Sequence, residues 1–286
     1  MKHLILTRFN LHIWKEDKHG QPTLTEEWLR ERVMLFETYC LPSLMAQTCK
    51  DFKWVILFAA DSPEWLMVKV RQWRDMFPLI RPVSVRMERR SDFMGIFREI
   101  AVSEASPQGG RMLTTYLDND DALRRDFVAD VQKRASQLPD ESFICYRYGI
   151  QYFTELGLAT SVPCSYNHFP SYVEDYDCPD AVQTFFRLVS HAQMKEMPRE
   201  KVIHVENKEK PIWLEVVHST NKYNDVHMAI RTRLITDPLF LQTHFGLVDV
   251  KISARPRLRF FTCFIPRYIK QFFRQVSSKL FGIEWV

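Results

Sequence analysis

The sequence offers no pair of cysteines at C-x-x-C spacing and no apolar stretch approaching the roughly eighteen residues of a membrane span. It also has no internal repeat and no low-complexity tract. The missing span excludes an integral membrane protein. The opening run His3-Leu4-Ile5-Leu6, broken by Thr7 and Arg8, is too short for a signal peptide. A chain of 286 residues does not depend on covalent staples. Cys40, Cys49, Cys145, Cys164, Cys178 and Cys263 therefore read as free thiols of a reducing cytosol, and the location expected is cytoplasmic. A strong excess of one charge is missing too: the net charge is +4, so nucleic acid is not the expected partner of the main body. The surplus is local. Residues 251–286 carry eight Lys or Arg against Glu284 alone, a net +7 that leaves residues 1–250 at −3.

With 46% hydrophobic residues the chain suits a large globular domain, read as 1–250, followed by a basic tail, 251–286. Leu4 to Phe9 reads as a first strand and Phe52 to Phe58 as a second, fully apolar one. Between them Thr25 caps a helix, with Glu26 and Glu27 at its positive end, and Pro42 ends or kinks that helix. Helices follow from Pro63 to Met76 and from Phe93 to Ser103, with a strand near Arg81–Met87 between them. Strands separated by helices of this length predict a doubly wound, mostly parallel α/β sheet. After Asp121 the pattern changes. A helix near 124–138 leads into Phe143–Phe153, which is expected to form an antiparallel hairpin with 157–162; residues 163–180 read as a loop.

The chemistry concentrates at one strand end. Leu113-Thr114-Thr115-Tyr116-Leu117 reads as a buried strand that runs into Asp118-Asn119-Asp120-Asp121. Three carboxylates in four positions repel one another, and a divalent cation with oxygen ligands offsets that repulsion. In an open α/β sheet, ligands sit just beyond the carboxyl ends of strands, which is where this cluster falls. The other reading is an Asp-rich turn, with Asp121 capping the next helix.

Placed in order, several segments resemble the rhamnosyltransferase family of bacterial surface-polysaccharide loci, glycosyltransferases of GT-A type. They are Thr7-Arg8-Phe9-Asn10, Leu35 to Ser43, Phe52 to Phe58, Leu117 to Leu123, and Trp213 to Asn221. The resemblance spans residues 4 to about 221 and departs at two positions: Tyr116 stands where an Arg is expected, and Ser219 where a Gly is expected. It implies a GT-A-like doubly wound mixed sheet, with a nucleotide-binding half over 1–123 and an acceptor half over 124–250. It also implies transfer of a sugar from a nucleotide-diphosphate donor to a polysaccharide or lipid-linked glycan, with Mn²⁺ or Mg²⁺ as cofactor.

The same resemblance suggests roles. Asp120 is the first choice as metal ligand, Asp118 contacts ribose or metal, and His218 completes the coordination unless it is a structural strand-end His. Thr7, Arg8 and Asn10 would lie by the nucleotide. Asp61 would contact the base or cap the helix beginning at Pro63, and Arg98 would reach a phosphate or stay on the surface. The general base would be Glu215, whose apolar Trp213–Val217 run would desolvate it, with Glu174, Asp175 and Asp177 as alternatives. Residues 264–282 space Ile265, Tyr268, Ile269, Phe272, Phe273, Val276 and Leu280 as one helical stripe among basic residues. That stripe would lie on an anionic membrane surface or dock on the domain. Two other functions fit the acids: a Mg²⁺-dependent phosphohydrolase or nucleotidyltransferase, and a non-catalytic sugar-nucleotide-binding protein at a membrane.

Overall fold

The computed structural model of the protein describes residues 1–16, 20, 22–188, 191–219, 233–263, 265 and 269. Thr220 and Asn221 and most of the 264–282 stripe lie outside the described residues. In chain order the first half comprises β1 (Lys2–Arg8), α1 (Glu26–Leu35), a π turn (Phe36–Cys40), α2 (Leu41–Met45), β2 (Lys53–Ala59), α3 (Glu64–Met76), β3 (Ile80–Val85), α4 (Asp92–Glu104) and β4 (Gly110–Tyr116). The second half comprises β5 (Ala122–Leu123), α5 (Phe127–Ala135), β6 (Ser142–Tyr146), β7 (Tyr148–Phe153), β8 (Leu158–Pro163), β9 (Ser171–Tyr176), β10 (Val202–Val205), β11 (Trp213–Val217), β12 (Arg233–Ile235) and α6 (Phe240–Phe245).

Seven strands form the main sheet in the order β10-β6-β9-β4-β1-β2-β3, parallel except for β9, which runs against both neighbours. Alternation along β1 and β2 divides the core into two layers. Ile5, Trp54, Ile56 and Phe58 pack with Phe36, Leu66, Val70 and Trp73 on one face, while Leu4, Leu6, Val55 and Leu57 pack with Phe93, Phe97 and Ile100 on the other. Burial on both faces explains why these strands are continuously apolar. Chain order reverses across β1, whose neighbours are β2 and β4, so the crevice beyond their carboxyl ends is the switch point of the sheet. This is the GT-A-like mixed architecture expected. A second sheet, β12-β8-β7-β11-β5, closes over the region after β4.

Several local expectations need correction. Residues 163–180 are not a loop: Ser171–Tyr176 is β9, buried in the main sheet, with Pro170 just before its first residue. The Phe143–Phe153 run is two strands in different sheets, broken at Arg147, and only β7 pairs with β8 as a hairpin. Pro42 does not end its helix. It has no N–H to donate, and the helix widens before it into a π turn, with Leu41 N–H bonding Phe36 O. Asp121 caps no helix, because it precedes β5 while Asp126 occupies the residue before α5. Beyond residue 250, Ile252 is buried, and Phe260 and Cys263 lie against Phe153 and Leu158.

Candidate active site

Register brings the ends of β1 and β4 together, with Leu6 opposite Tyr116. Arg8 therefore stands beside the acids. Its Nε donates to Tyr116 Oη at 2.9 Å, its Nη2 lies 3.4 Å from Asp118 Oδ1, and the Tyr116 hydroxyl donates to the same Asp118 oxygen. Burial opposes the guanidinium charge, but Tyr116 and Asp118 outweigh it and raise the Arg8 pKa; burial likewise pushes the Tyr116 phenol well up. The Tyr found where an Arg was expected thus clamps Arg8 onto Asp118.

β9 enters antiparallel to β4 with Ser171 opposite Thr115, which carries the preceding His168 to the carboxyl end of β4. His168 Nε2 lies 3.0 Å from Asp121 Oδ2, and the Val216 N–H of β11 donates to the other Asp121 oxygen at 2.8 Å. Burial pushes the Asp121 carboxyl well above the usual range, and the Asp120 and Asp118 charges add to the rise. Burial opposes charge on His168, yet its Asp121 partner raises it to about 9. A proton therefore stays on this pair at neutral pH. Asp118, Asp121 and His168 present ligand atoms within 4.8 Å of one another, the one such cluster among the described residues. Two carboxylates and an imidazole, holding a proton that a cation can displace, form a donor set that fits a divalent metal ion.

Asp120 points elsewhere. Arg32 Nη1 of α1 donates to its Oδ2 at 2.5 Å and His218 Nε2 lies 2.9 Å from the same oxygen, all three side chains being buried. Burial alone would raise the Asp120 pKa, but Arg32 and His218 hold it well below the carboxylate range. Asp120 and His218 thus meet each other, as expected of partners, but around a guanidinium and apart from the Asp118 cluster.

The remaining residues divide. Glu215 is buried beside Val216 and accepts from Gln151 Nε2 at 2.7 Å. Asp61 stays exposed, with His12 3.0 Å away; that hydrogen bond lowers its pKa. Thr7 accepts from Trp54 Nε1 in the core, and Asn10 ties the end of β1 to Ala59 and Ser62. These two brace the strand ends and do not line an open site. Arg98 donates to the Asp180 carbonyl, away from the acids. Antiparallel register places Asp175 opposite Arg111 and Glu174 opposite Met112, with Asp177 beyond, all at the far end of β4 from Asp118. Asp175 is bound by Arg111 there, and Glu174 accepts from Gln183 and Thr184 N–H groups.

Three site residues escaped the sequence reading. His168 was hidden because its strand was read as loop, although Ser171-Tyr172-Val173 after Pro170 carries a strand signal. Arg32 lies among Leu29, Val33 and Leu35, the buried residues of α1, and a cation inside an apolar set signals an inward charge partner. His191, whose ring centroid is 6.2 Å from that of His168, is held to about 4 by burial and the neighbouring His168 charge; no local pattern announces it.

An Arg, two carboxylates and a His thus meet beyond the carboxyl end of β4 at the switch point of a mostly parallel sheet, where open α/β folds bind their ligands. A family model described as "Putative rhamnosyl transferase" matches residues 6–230, and the chain belongs to that glycosyltransferase family. No curated protein matches it by sequence. Among solved structures it is similar to S. aureus TarS 1–349, at 10% identity over 76% of this chain and 60% of that one, TM-score 0.39. It is also similar to a structure described as a putative nucleotide-diphospho-sugar transferase from Desulfovibrio desulfuricans G20, at 12% identity over 77% and 84%, TM-score 0.37. The chain spans less than two thirds of the TarS chains it matches, 60% of one and 37% of a longer one.

Proposed function

We propose that this protein is a metal-dependent glycosyltransferase that moves rhamnose from a nucleotide-diphosphate donor to a polysaccharide or lipid-linked glycan. The observation that carries the reading is the convergence of Asp118, Asp121 and His168 beside Arg8 at the switch point. In this reading those three residues hold the cation, and Arg8, kept in place by Tyr116, faces the diphosphate. A bound divalent cation would neutralise the charge that gathers on the leaving diphosphate. In a single displacement at the anomeric carbon, Glu215 takes the proton of the acceptor hydroxyl as its oxygen bonds to that carbon, and the nucleoside diphosphate leaves. Gln151 orients Glu215. Asp120, neutralised by Arg32 and His218, anchors the loop that carries its neighbours, and exposed Asp61 is left to meet the base. Family membership supports the sugar named.

The protein would work in the cytoplasm against the inner face of the membrane. Leu258 and Phe261, 55% and 58% exposed beside Arg255 and Arg257, support that placement. No helix among the described residues is long and apolar enough to cross a membrane. The test is a thermal-shift screen of dTDP-, UDP- and GDP-linked sugars with and without Mn²⁺. One donor should raise Tm only when the metal is present, and His168→Ala should remove that dependence. Equal shifts without metal, or none for any donor, would overturn the proposal.

A further inference from the structure

The structure also holds a cavity away from the acids. It lies on the other side of α1, against α3 and the loop after α6, and measures about 540 Å³, within the roughly 300–1,000 Å³ of small-molecule sites. One helix separates the two places. Arg32 reaches inward to Asp120 and Cys40 Sγ lies 3.5 Å from the Asp118 carbonyl, while Arg30, Met34 and Glu37 of the same helical run line the cavity. The π turn Phe36–Cys40 makes this double duty possible, and such widened turns recur at functional sites.

The lining has an unusual balance. Trp65 forms part of the wall, with the Arg30 guanidinium 4.7 Å over its ring, and Met34 and Val248 add apolar surface open to solvent. Lys69 is paired with Glu37 and Arg30 with Glu26 one turn back on α1, so the cations of the wall are already matched. Glu37 Oε1 accepts from both Lys69 Nζ at 3.0 Å and Trp73 Nε1 at 2.9 Å, which fixes the carboxylate and leaves its second oxygen without a partner among the described residues. An anion gains little from cancelled charges, and an apolar ligand would leave four charged groups desolvated. A neutral polyhydroxylated ring satisfies both halves: its C–H face rests against the wall of Trp65, Met34 and Val248, and its hydroxyls bridge fixed donors and acceptors.

We infer that this cavity is a secondary glycan-binding site for a neutral oligosaccharide. It would hold a distal part of the growing acceptor while the α1 wall keeps that glycan apart from the donor. The inference takes from the proposed function only that the acceptor is a glycan. The test uses the full chain labelled with 5-fluorotryptophan, with the Trp65 resonance assigned through Trp65→Phe, and a panel of short neutral rhamno-, gluco-, galacto- and manno-oligosaccharides. At least one should move the Trp65 resonance saturably, and its affinity should fall about tenfold, or 1.4 kcal/mol, in Trp65→Ala and in Met34→Asp. Metal-dependent thermal stabilisation by the donor should be unchanged in both variants. The inference is overturned if no panel member moves Trp65, if neither variant weakens binding, or if acidic oligosaccharides bind as tightly as neutral ones. Glycan binding at Trp65 in a protein that ignores every sugar nucleotide would leave this site standing and remove the transferase reading instead.

Discussion

Replacing Arg32 by methionine removes one half of an ion pair whose side chains are only 10% and 9% exposed. Methionine keeps most of the stem's packing, so the change isolates the charge. Breaking a buried pair from one side costs about 3–5 kcal/mol, because the remaining carboxylate is stranded. His218, 2.9 Å from the same oxygen, retains part of the compensation, which places the expected loss near 3 kcal/mol. The sign with pH follows from the depressed Asp120 pKa. Its contribution is present above the unfolded carboxylate value and lost as pH falls towards the folded one, so the gap between wild type and variant should narrow in acid. Adding Asp120→Leu should recover part of the loss, since neither member of the ion pair is then stranded and only the His218 ring loses its Asp120 bond. Urea melts at constant m read this directly. A loss below about 1 kcal/mol for Arg32→Met, or a double variant as unstable as the two singles summed, would refute the charge-anchor reasoning.

His3 is buried between Thr115 and Gln132, and burial lowers its pKa to about 3. Between that value and the unfolded value of about 6.5 only the unfolded chain takes the proton, so stability falls with falling pH. Urea midpoints at about pH 7 and about pH 4.5 should show His3→Gln losing about 2–3 kcal/mol less than wild type; parallel losses would contradict the assignment. A Cβ at Gly149 would lie 2.0 Å from the Trp213 ring, so Gly149→Ala should cost about 3 kcal/mol or more, and an unshifted melt would show that the ring can yield. Binding to anionic liposomes should weaken with salt at about 1 kcal/mol per basic residue yet persist, and Leu258→Asp with Phe261→Asp should remove most of it. A full chain that ignores such liposomes at low salt would end the membrane reading.

Much of the N-terminal half was legible because its signals are local. Phe52–Phe58 is apolar without interruption because it is buried on both faces, Thr25 accepts from the Trp28 N–H as a cap should, and Asp118–Asp121 ends its strand as read. The site itself was less legible. That Asp121 and not Asp120 gathers with Asp118 and His168 depends on Arg32, 88 positions before Asp120 in the chain, and on His168, 47 positions after Asp121. No spacing rule carries such contacts, because β9 must first insert antiparallel beside β4. The same insertion removes Glu174 and Asp175 from contention: their chemistry suits a base, but register sets them at the wrong end of the sheet. Tyr116 shows the converse, a departure from the family pattern that the fold uses to join Arg8 to Asp118.

In the proposed function the cation is held by Asp118, Asp121 and His168, while the His218 ring bonds Asp120. Electron spin echo spectroscopy of the Mn²⁺-loaded full-length protein tests it by reading nitrogen directly bonded to the ion. Imidazole nitrogen coupling should appear in wild type, persist in His218→Ala and vanish in His168→Ala. Coupling that survives loss of His168 and disappears with His218 would contradict the account and return the metal to Asp120.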